Sequence, residues 1–202
     1  MTDVDIMRLS RSTTCLDSGW DWTEMRPHLL TLYSLARHVC WPNPEQPQPA
    51  TPPLCVEIGV REGVSTLALL YAMSETNGRL ISIDIDDVAT EKARRNVDKY
   101  ELGQWWDLRI ANSGEVALTW TDPIDLLFID GDHALAGVRA DIANYLPHLR
   151  PSGVALLHDY YADIGCVFKS DGVAVVVDEL DRAAYDVVTL PWAYGLTVVR
   201  AR

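Results

Sequence analysis

The sequence predicts an α/β fold: a doubly wound, mostly parallel seven-stranded sheet with a C-terminal antiparallel hairpin and an N-terminal helical extension. Three observations carry this expectation. From Leu54 onward, short apolar runs rich in β-branched residues alternate with helix-length stretches, the pattern of a parallel sheet covered on both faces. The last two runs, YDVVTL and GLTVVRA, lie too close together for a crossover helix, so they pair as a hairpin through Pro191 to Gly195. With 202 residues, 48 % of them apolar, the chain is long enough for one well-buried core and short for two.

Within residues 23–41, Leu29, Leu32, Leu35, Ala36 and Val39 recur at spacings of three and four, the stripe of an amphipathic helix that packs on the main domain. Residues 42–53 hold six prolines in twelve positions, which removes backbone donors and makes a stiff, exposed linker. The expected division is therefore 1–53, extension and linker, and 54–202, the α/β domain. Its strands are LCVEIGV, RLISIDID, WDLRIAN, IDLLFID, GVALLHD and the two hairpin runs. Between them fall helices at Ser65 to Ser74, Val88 to Tyr100, Gly114 to Trp120, Ala134 to Leu149 and Val173 to Ala184.

The net charge of −12 and a pI near 4.7 oppose binding to a phosphate backbone, so a nucleic-acid partner is disfavoured. Cys15, Cys40, Cys55 and Cys166 are scattered, without the spacing of a zinc knuckle or a disulfide framework. Residues 1–30 carry no apolar stretch of signal-peptide length, and nowhere do about 18 apolar residues follow one another. A cytoplasmic protein with no membrane partner is expected, acting on a small molecule, with a homodimer as the candidate assembly.

Residues Leu54 to Ser65 read as a buried strand, an acid near its end, two glycines four apart and a serine at a helix start. Gly59 and Gly63 let the chain turn sharply and bring a ligand close to backbone N–H groups. The spacing is G-x-x-x-G rather than G-x-G-x-x-G, and Glu57 would repel a pyrophosphate, so a cationic amino-acid ligand suits the loop better than a dinucleotide. The next strand ends in ISIDID, where Asp84 can accept hydrogen bonds from both ribose hydroxyls. Singly, these residues are equally well read as turn glycines, a helix cap and a solvated strand end.

Taken in order, EIGVREGVST, ISIDID, FIDGDH and a strand ending in HD resemble the Rossmann-like class I S-adenosylmethionine-dependent methyltransferases. The likeness is greatest to the family of macrocin O-methyltransferase, and catechol O-methyltransferase is more distant. It is close over Leu54 to Asp159 and elsewhere follows element order alone. It implies that Glu57, Gly59 and Gly63 line the methionine part of S-adenosyl-L-methionine, with Ser65 near its carboxylate. It also implies that Asp84 holds the ribose and that Asn112 and Ser113 border the adenine.

Asp130 and Asp159 end what should be neighbouring strands about 4.8 Å apart, so their carboxylates can share one cation, Mg²⁺, Mn²⁺ or Ca²⁺. His158 as a third ligand tilts the choice toward a transition metal such as Mn²⁺. The alternative is that Asp130 contacts the cofactor ammonium and Asp159 caps a loop. Metal-dependent members of the resembled family carry an acidic or polar partner beside the equivalent of Asp159; here the neighbours are His158 and Tyr160. His133 matches the family's general base, with Asp130 as its catalytic companion; it also reads as a polar residue exposed at a helix start. His28, His38 and His148 read as ordinary helix-face histidines. Trp20, Trp22, Tyr160, Tyr161, Trp192 and Tyr194 fit an aromatic wall and core or lid packing equally.

The expected activity is O-methylation of a sugar, phenol or natural product. A nucleoside-binding domain without turnover is one rival reading. An NAD-dependent oxidoreductase on the same fold is another, although both G-x-G-x-x-G and Y-x-x-x-K are absent. A zinc or phosphate hydrolase built on Asp130, Asp132, His133 and Asp159 would leave Glu57 and Asp84 unexplained.

Overall fold

The computed structural model describes residues 25–41, 43, 45, 47, 50–161 and 172–202. Trp20, Trp22 and part of the proline-rich stretch lie outside the described residues. Seven strands form one sheet in the order β3-β2-β1-β4-β5-β7-β6. They are β1 (Leu54–Ile58), β2 (Arg79–Asp84), β3 (Trp106–Ile110), β4 (Ile124–Ile129), β5 (Leu149–His158), β6 (Tyr185–Leu190) and β7 (Leu196–Ala201). Only β7 runs against its neighbours, pairing antiparallel with both β5 and β6. The hairpin anticipated through Pro191 to Gly195 is therefore present, and its return strand inserts between β5 and β6.

Among the described residues six α-helices accompany the sheet: α1 (Leu29–Cys40), α2 (Val64–Thr76), α3 (Asp87–Lys99), α4 (Ser113–Ala117), α5 (Leu135–Tyr145) and α6 (Gly172–Glu179). The expected helix from Ala134 to Leu149 ends earlier, because Pro147 cannot donate into a continuing α-helix and the chain tightens into a 3₁₀ turn over Leu146–His148. The helix expected over Gly114 to Trp120 is five residues long, Ser113–Ala117, and gives way to tighter turns over Leu118 to Trp120.

Strand alternation sorts the core into two layers. Leu126, Phe128, Val154 and Leu156 face one side with α1 and α2, while Leu127, Ile129, Ala155 and Leu157 face the other with Val138 and Tyr145 of α5 and Val176 of α6. This double burial is why β4 and β5 read as unbroken apolar runs. Helix α2 has almost no polar face, since every residue from Val64 to Met73 is buried. A helix apolar all round must be covered on its outer side as well, and α1 does this with Leu29, Leu32, Tyr33 and Ala36, each about 1.5–3 kcal/mol of burial for the larger side chains. Glu75 of α2 clamps it by accepting from Tyr33 Oη at 2.9 Å and Arg37 Nε at 2.7 Å. The N-terminal helix thus belongs to the same core as the sheet. No described helix is long and apolar enough to cross a membrane.

Candidate active site

A cavity of about 710 Å³ opens at the C-terminal ends of the central strands, within the size range of ligand pockets. Of the residues expected at the cofactor, Gly59, Ser65, Asp84, Asn112, Ser113 and Asp130 line it, as do His133, His158 and Asp159; Glu57 and Gly63 do not. Met25, just ahead of α1, also borders it, and nothing in the sequence pattern signalled this contact. Tyr160, Tyr161, Trp192 and Tyr194 are not among the lining residues.

The loop after β1 is built by glycines and by two carboxylates beneath it. Gly59 has φ +91°, and a Cβ there would stand 2.2 Å from the Asp130 carbonyl oxygen, so a side chain is excluded by both backbone and space. Asp130 N donates to Ile58 O at 2.8 Å and Gly59 N to Ile83 O at 2.9 Å, which carries the sheet ladder one residue past β1 on both sides. Gly63, at φ +81°, packs against Ala93 of α3.

Glu57 alternates with Val56 and Ile58, so it points to the face covered by α2 rather than into the cavity. It is 0 % exposed and accepts three hydroxyls: Ser65 Oγ at 2.6 Å, Thr66 Oγ1 at 2.8 Å and Ser82 Oγ at 2.6 Å, Ser82 being its register partner on β2. Trp106 Nε1 donates in turn to Ser82 Oγ at 2.9 Å. Burial pushes the Glu57 carboxyl up to about 7; the three hydroxyls pull it down and the Asp130 charge adds to the rise. Glu57 therefore ties β1, β2, β3 and α2 together under the loop, and Ser65 is the member of this network that reaches the cavity.

Asp84 fastens the same loop from β2. Its Oδ2 accepts from Val60 N at 2.8 Å and Arg61 N at 3.0 Å, and its Oδ1 from Asp86 N at 2.8 Å. A carboxylate offers about four lone-pair sites, so these bonds leave room for a ligand hydroxyl. Asp86 caps α3 by accepting from Val88 N and Ala89 N. Beyond β3, Asn112 caps α4 through Gly114 N, and Ser113 Oγ donates to Asp141 Oδ1 at 2.6 Å. Tyr145 Oη donates to Ser113 O at 2.7 Å, so α5 holds α4 from the side.

At the other end, β4 and β5 are paired, as the spacing anticipated, with Ile129 opposite Leu157. Alternation alone would send the side chains after β5 to opposite faces. Asp159 escapes it, because the strand ends at His158 and Asp159 takes φ +70°, a left-handed conformation that aspartate tolerates better than most residues. Its N–H donates to Gly195 O at 3.0 Å. Asp159 is thereby turned toward Asp130 and His133, and donor atoms of these three lie within 4.8 Å of one another. His133 Nε2 is 2.9 Å from Asp159 Oδ2. Asp132 opens the turn into α5 by accepting from Ala134 N at 2.9 Å.

His158, expected as the third ligand, is not in that trio; His133 occupies the place. His158 is 2 % exposed. Its Nδ1 lies 3.3 Å from Asp130 Oδ1 and 3.2 Å from Asp159 Oδ1, and its Nε2 lies 3.1 Å from Ala193 O. Both nitrogens face acceptors alone, so each carries a proton and neither offers a lone pair to a metal. Burial by itself would lower its pKa, but Asp130 and Asp159 outweigh burial and raise it to about 10. His28 is likewise no surface histidine: it is 0 % exposed, sets its ring edge-on to His158 at 5.3 Å and shares the Ala193 carbonyl at 3.3 Å. Burial, then His158, lowers its pKa.

The profile of the family described as "Methyltransferase domain" matches residues 56–160, just over half of the chain. Solved structures with the same fold include the SAH-bound methyltransferase PaMTH1 of Podospora anserina, 18 % identical with a TM-score of 0.65 over 100 % of this chain and 89 % of that one. A putative caffeoyl-CoA O-methyltransferase of Staphylococcus aureus is 16 % identical, TM-score 0.65, over 100 % and 93 %. A putative rRNA-methylase of Clostridium thermocellum is 16 % identical, TM-score 0.62, over 74 % and 89 %. Those identities speak for the fold alone. The profile match goes further and, together with the order of the strand-end motifs, shows that this chain belongs to the methyltransferase-domain family.

Proposed function

We propose that the protein binds S-adenosyl-L-methionine in the 710 Å³ cavity and transfers its methyl group to a hydroxyl oxygen of a small molecule. The observation that carries the choice of oxygen is the His133–Asp159 pair at the cavity wall, 2.9 Å apart. A hydroxyl must lose its proton as the new C–O bond forms and the C–S bond breaks to leave neutral S-adenosylhomocysteine. An imidazole oriented by a buried carboxylate is a suitable acceptor for that proton. Gly59 brings backbone against the ligand, Ser65 and Asp84 offer polar contacts to its amino-acid and ribose parts, and Asn112 and Ser113 border the base. The net charge of −12 favours a small acceptor over RNA, a choice that the neighbours' names, an O-methyltransferase and an rRNA-methylase, do not make.

A second reading is favoured by the closeness of Asp130, His133 and Asp159. Two ligands of one ion lie at most about 4–5 Å apart, twice the usual metal–ligand distance, so the trio fits a divalent cation. Two carboxylates with an imidazole suit Mn²⁺, and Mg²⁺ would draw on the carboxylates. When bound, the cation would supply Lewis acidity that makes the acceptor hydroxyl easier to ionise. His133 would then be a ligand rather than a base. Methyl transfer from labelled S-adenosylmethionine to a panel of phenols and sugars, with and without EDTA, tests both. Activity that persists in EDTA and collapses in His133→Ala supports the base, activity abolished by EDTA and restored by Mn²⁺ supports the cation, and no transfer to any hydroxyl under either condition contradicts the proposal.

A further inference from the structure

The proline-rich linker joins α1 to β1, and a cysteine stands close to each of its ends. Cys40 is the last residue of α1 and Cys55 the second of β1. Their Sγ atoms are 3.9 Å apart, in contact, inside the core layer that α1 shares with α2 and one face of the sheet. Both are free thiols, 3 % and 0 % exposed. A single buried thiol behaves as a small apolar side chain. Two thiols in contact across a separation of 15 residues are a pair that one bond can join. Spacing along the chain hides this pair, because the contact exists only once α1 has folded back onto the sheet.

We propose that Cys40 and Cys55 form a redox modification site, at which a peroxide converts the dithiol into a disulfide that ties the end of α1 to β1. In the first step the Cys40 sulfur attacks one peroxide oxygen, the O–O bond breaks, and water leaves a sulfenic acid behind. In the second the Cys55 sulfur attacks the Cys40 sulfur, the S–O bond breaks, and the departing oxygen takes the Cys55 proton and leaves as water. Two thiols and one hydrogen peroxide thus give one disulfide and two waters, the sulfurs losing the two electrons that the peroxide gains. The order follows from position. Cys40 ends a helix, where fraying opens the backbone at little cost, whereas Cys55 lies in a strand paired on both sides. Burial, and then the Cys40 thiol, push the Cys55 thiol up, which makes it the slower of the two to meet the oxidant. The bridge bears on the cavity because the turn ahead of the same helix sets His28 against His158 and Met25 at the cavity wall.

Peptide mapping of the full-length protein tests the site. Residues 38–61 form one tryptic peptide that holds Cys40 and Cys55 and no other cysteine. After treatment with hydrogen peroxide, quenching, denaturation and iodoacetamide, this peptide should be unalkylated and lighter by two hydrogens than its dithiol form. A phosphine reductant added before the iodoacetamide should restore double alkylation. The Tm of the oxidised protein should exceed that of the reduced protein by several degrees, because closing a 15-residue loop restricts the unfolded chain. That rise should be absent in Cys40→Ala. A 38–61 peptide that stays doubly alkylated while Cys15 or Cys166 is oxidised would overturn the assignment, as would a sulfinic acid at Cys40 beside an alkylated Cys55. A bridge that forms without raising Tm would overturn its role in tying α1 to the sheet.

Discussion

Asp159 Oδ2 and His133 Nε2 meet at 2.9 Å although one stands on the turn after β5 and the other in the loop entering α5. The contact exists because Asp159 leaves the strand at φ +70°. Asparagine tolerates the same backbone region, so Asp159→Asn removes the charge without straining the turn. Under the base reading, His133→Ala lowers turnover by about 10²- to 10⁴-fold, Asp159→Asn also lowers it, and affinity for S-adenosylhomocysteine changes little in either. Steady-state kinetics beside calorimetry checks this; a His133→Ala enzyme with wild-type turnover would return His133 to a surface role.

Glu57 makes stability depend on pH. Its carboxyl is raised from an ordinary 4.5 to about 7, so between those values the folded chain holds more protons than the unfolded one. The stability it contributes is complete below about 4.5 and is lost as pH rises through about 7. Glu57→Gln cannot titrate, and its urea-unfolding free energy should fall less steeply across that window than that of the wild type. Parallel slopes would mean that Glu57 is already ionised throughout the window.

Asp84 holds the loop as well as facing the cavity. Asp84→Ala leaves the N–H groups of Val60 and Arg61 without their acceptor, a loss of about 1–3 kcal/mol for each that stays buried. Affinity for S-adenosylhomocysteine should drop about tenfold or more, with a lowered Tm. Unchanged affinity beside a lowered Tm would confine Asp84 to the loop.

His158 compensates two carboxylates from behind. Replacing it by phenylalanine keeps an aromatic ring against His28 but leaves Asp130 and Asp159 facing each other without their cation. Breaking a buried pair in this way costs about 3–5 kcal/mol, which chemical denaturation at neutral pH would read; a loss below about 1 kcal/mol would show that His158 is neutral in the fold.

The seven strands and the closing hairpin were legible because they follow from apolar period and connection length, and the pairing of β4 with β5 because a doubly wound sheet makes those strands neighbours. The strand-end residues were legible as a set because the C-terminal edge of a parallel sheet gathers them. What the chain concealed is side-chain direction. Glu57 reads as a pocket acid until alternation places it under α2, and His158 reads as a ligand until the left-handed turn at Asp159 brings His133 forward instead. Asp141 did leave a signal, an acid at the three-and-four spacing of Val138 and Tyr145, where an apolar residue belongs. His28 left none, since its burial depends on the turn carrying Ala193, 165 residues away.

The central claim is that the cavity takes a sulfonium nucleoside. Calorimetric titration of the wild-type chain with S-adenosylmethionine, S-adenosylhomocysteine and NAD⁺ tests it most directly. The account predicts saturable binding of both sulfur nucleosides at one site per chain and none of NAD⁺; tight NAD⁺ binding with no response to either sulfur nucleoside would contradict it.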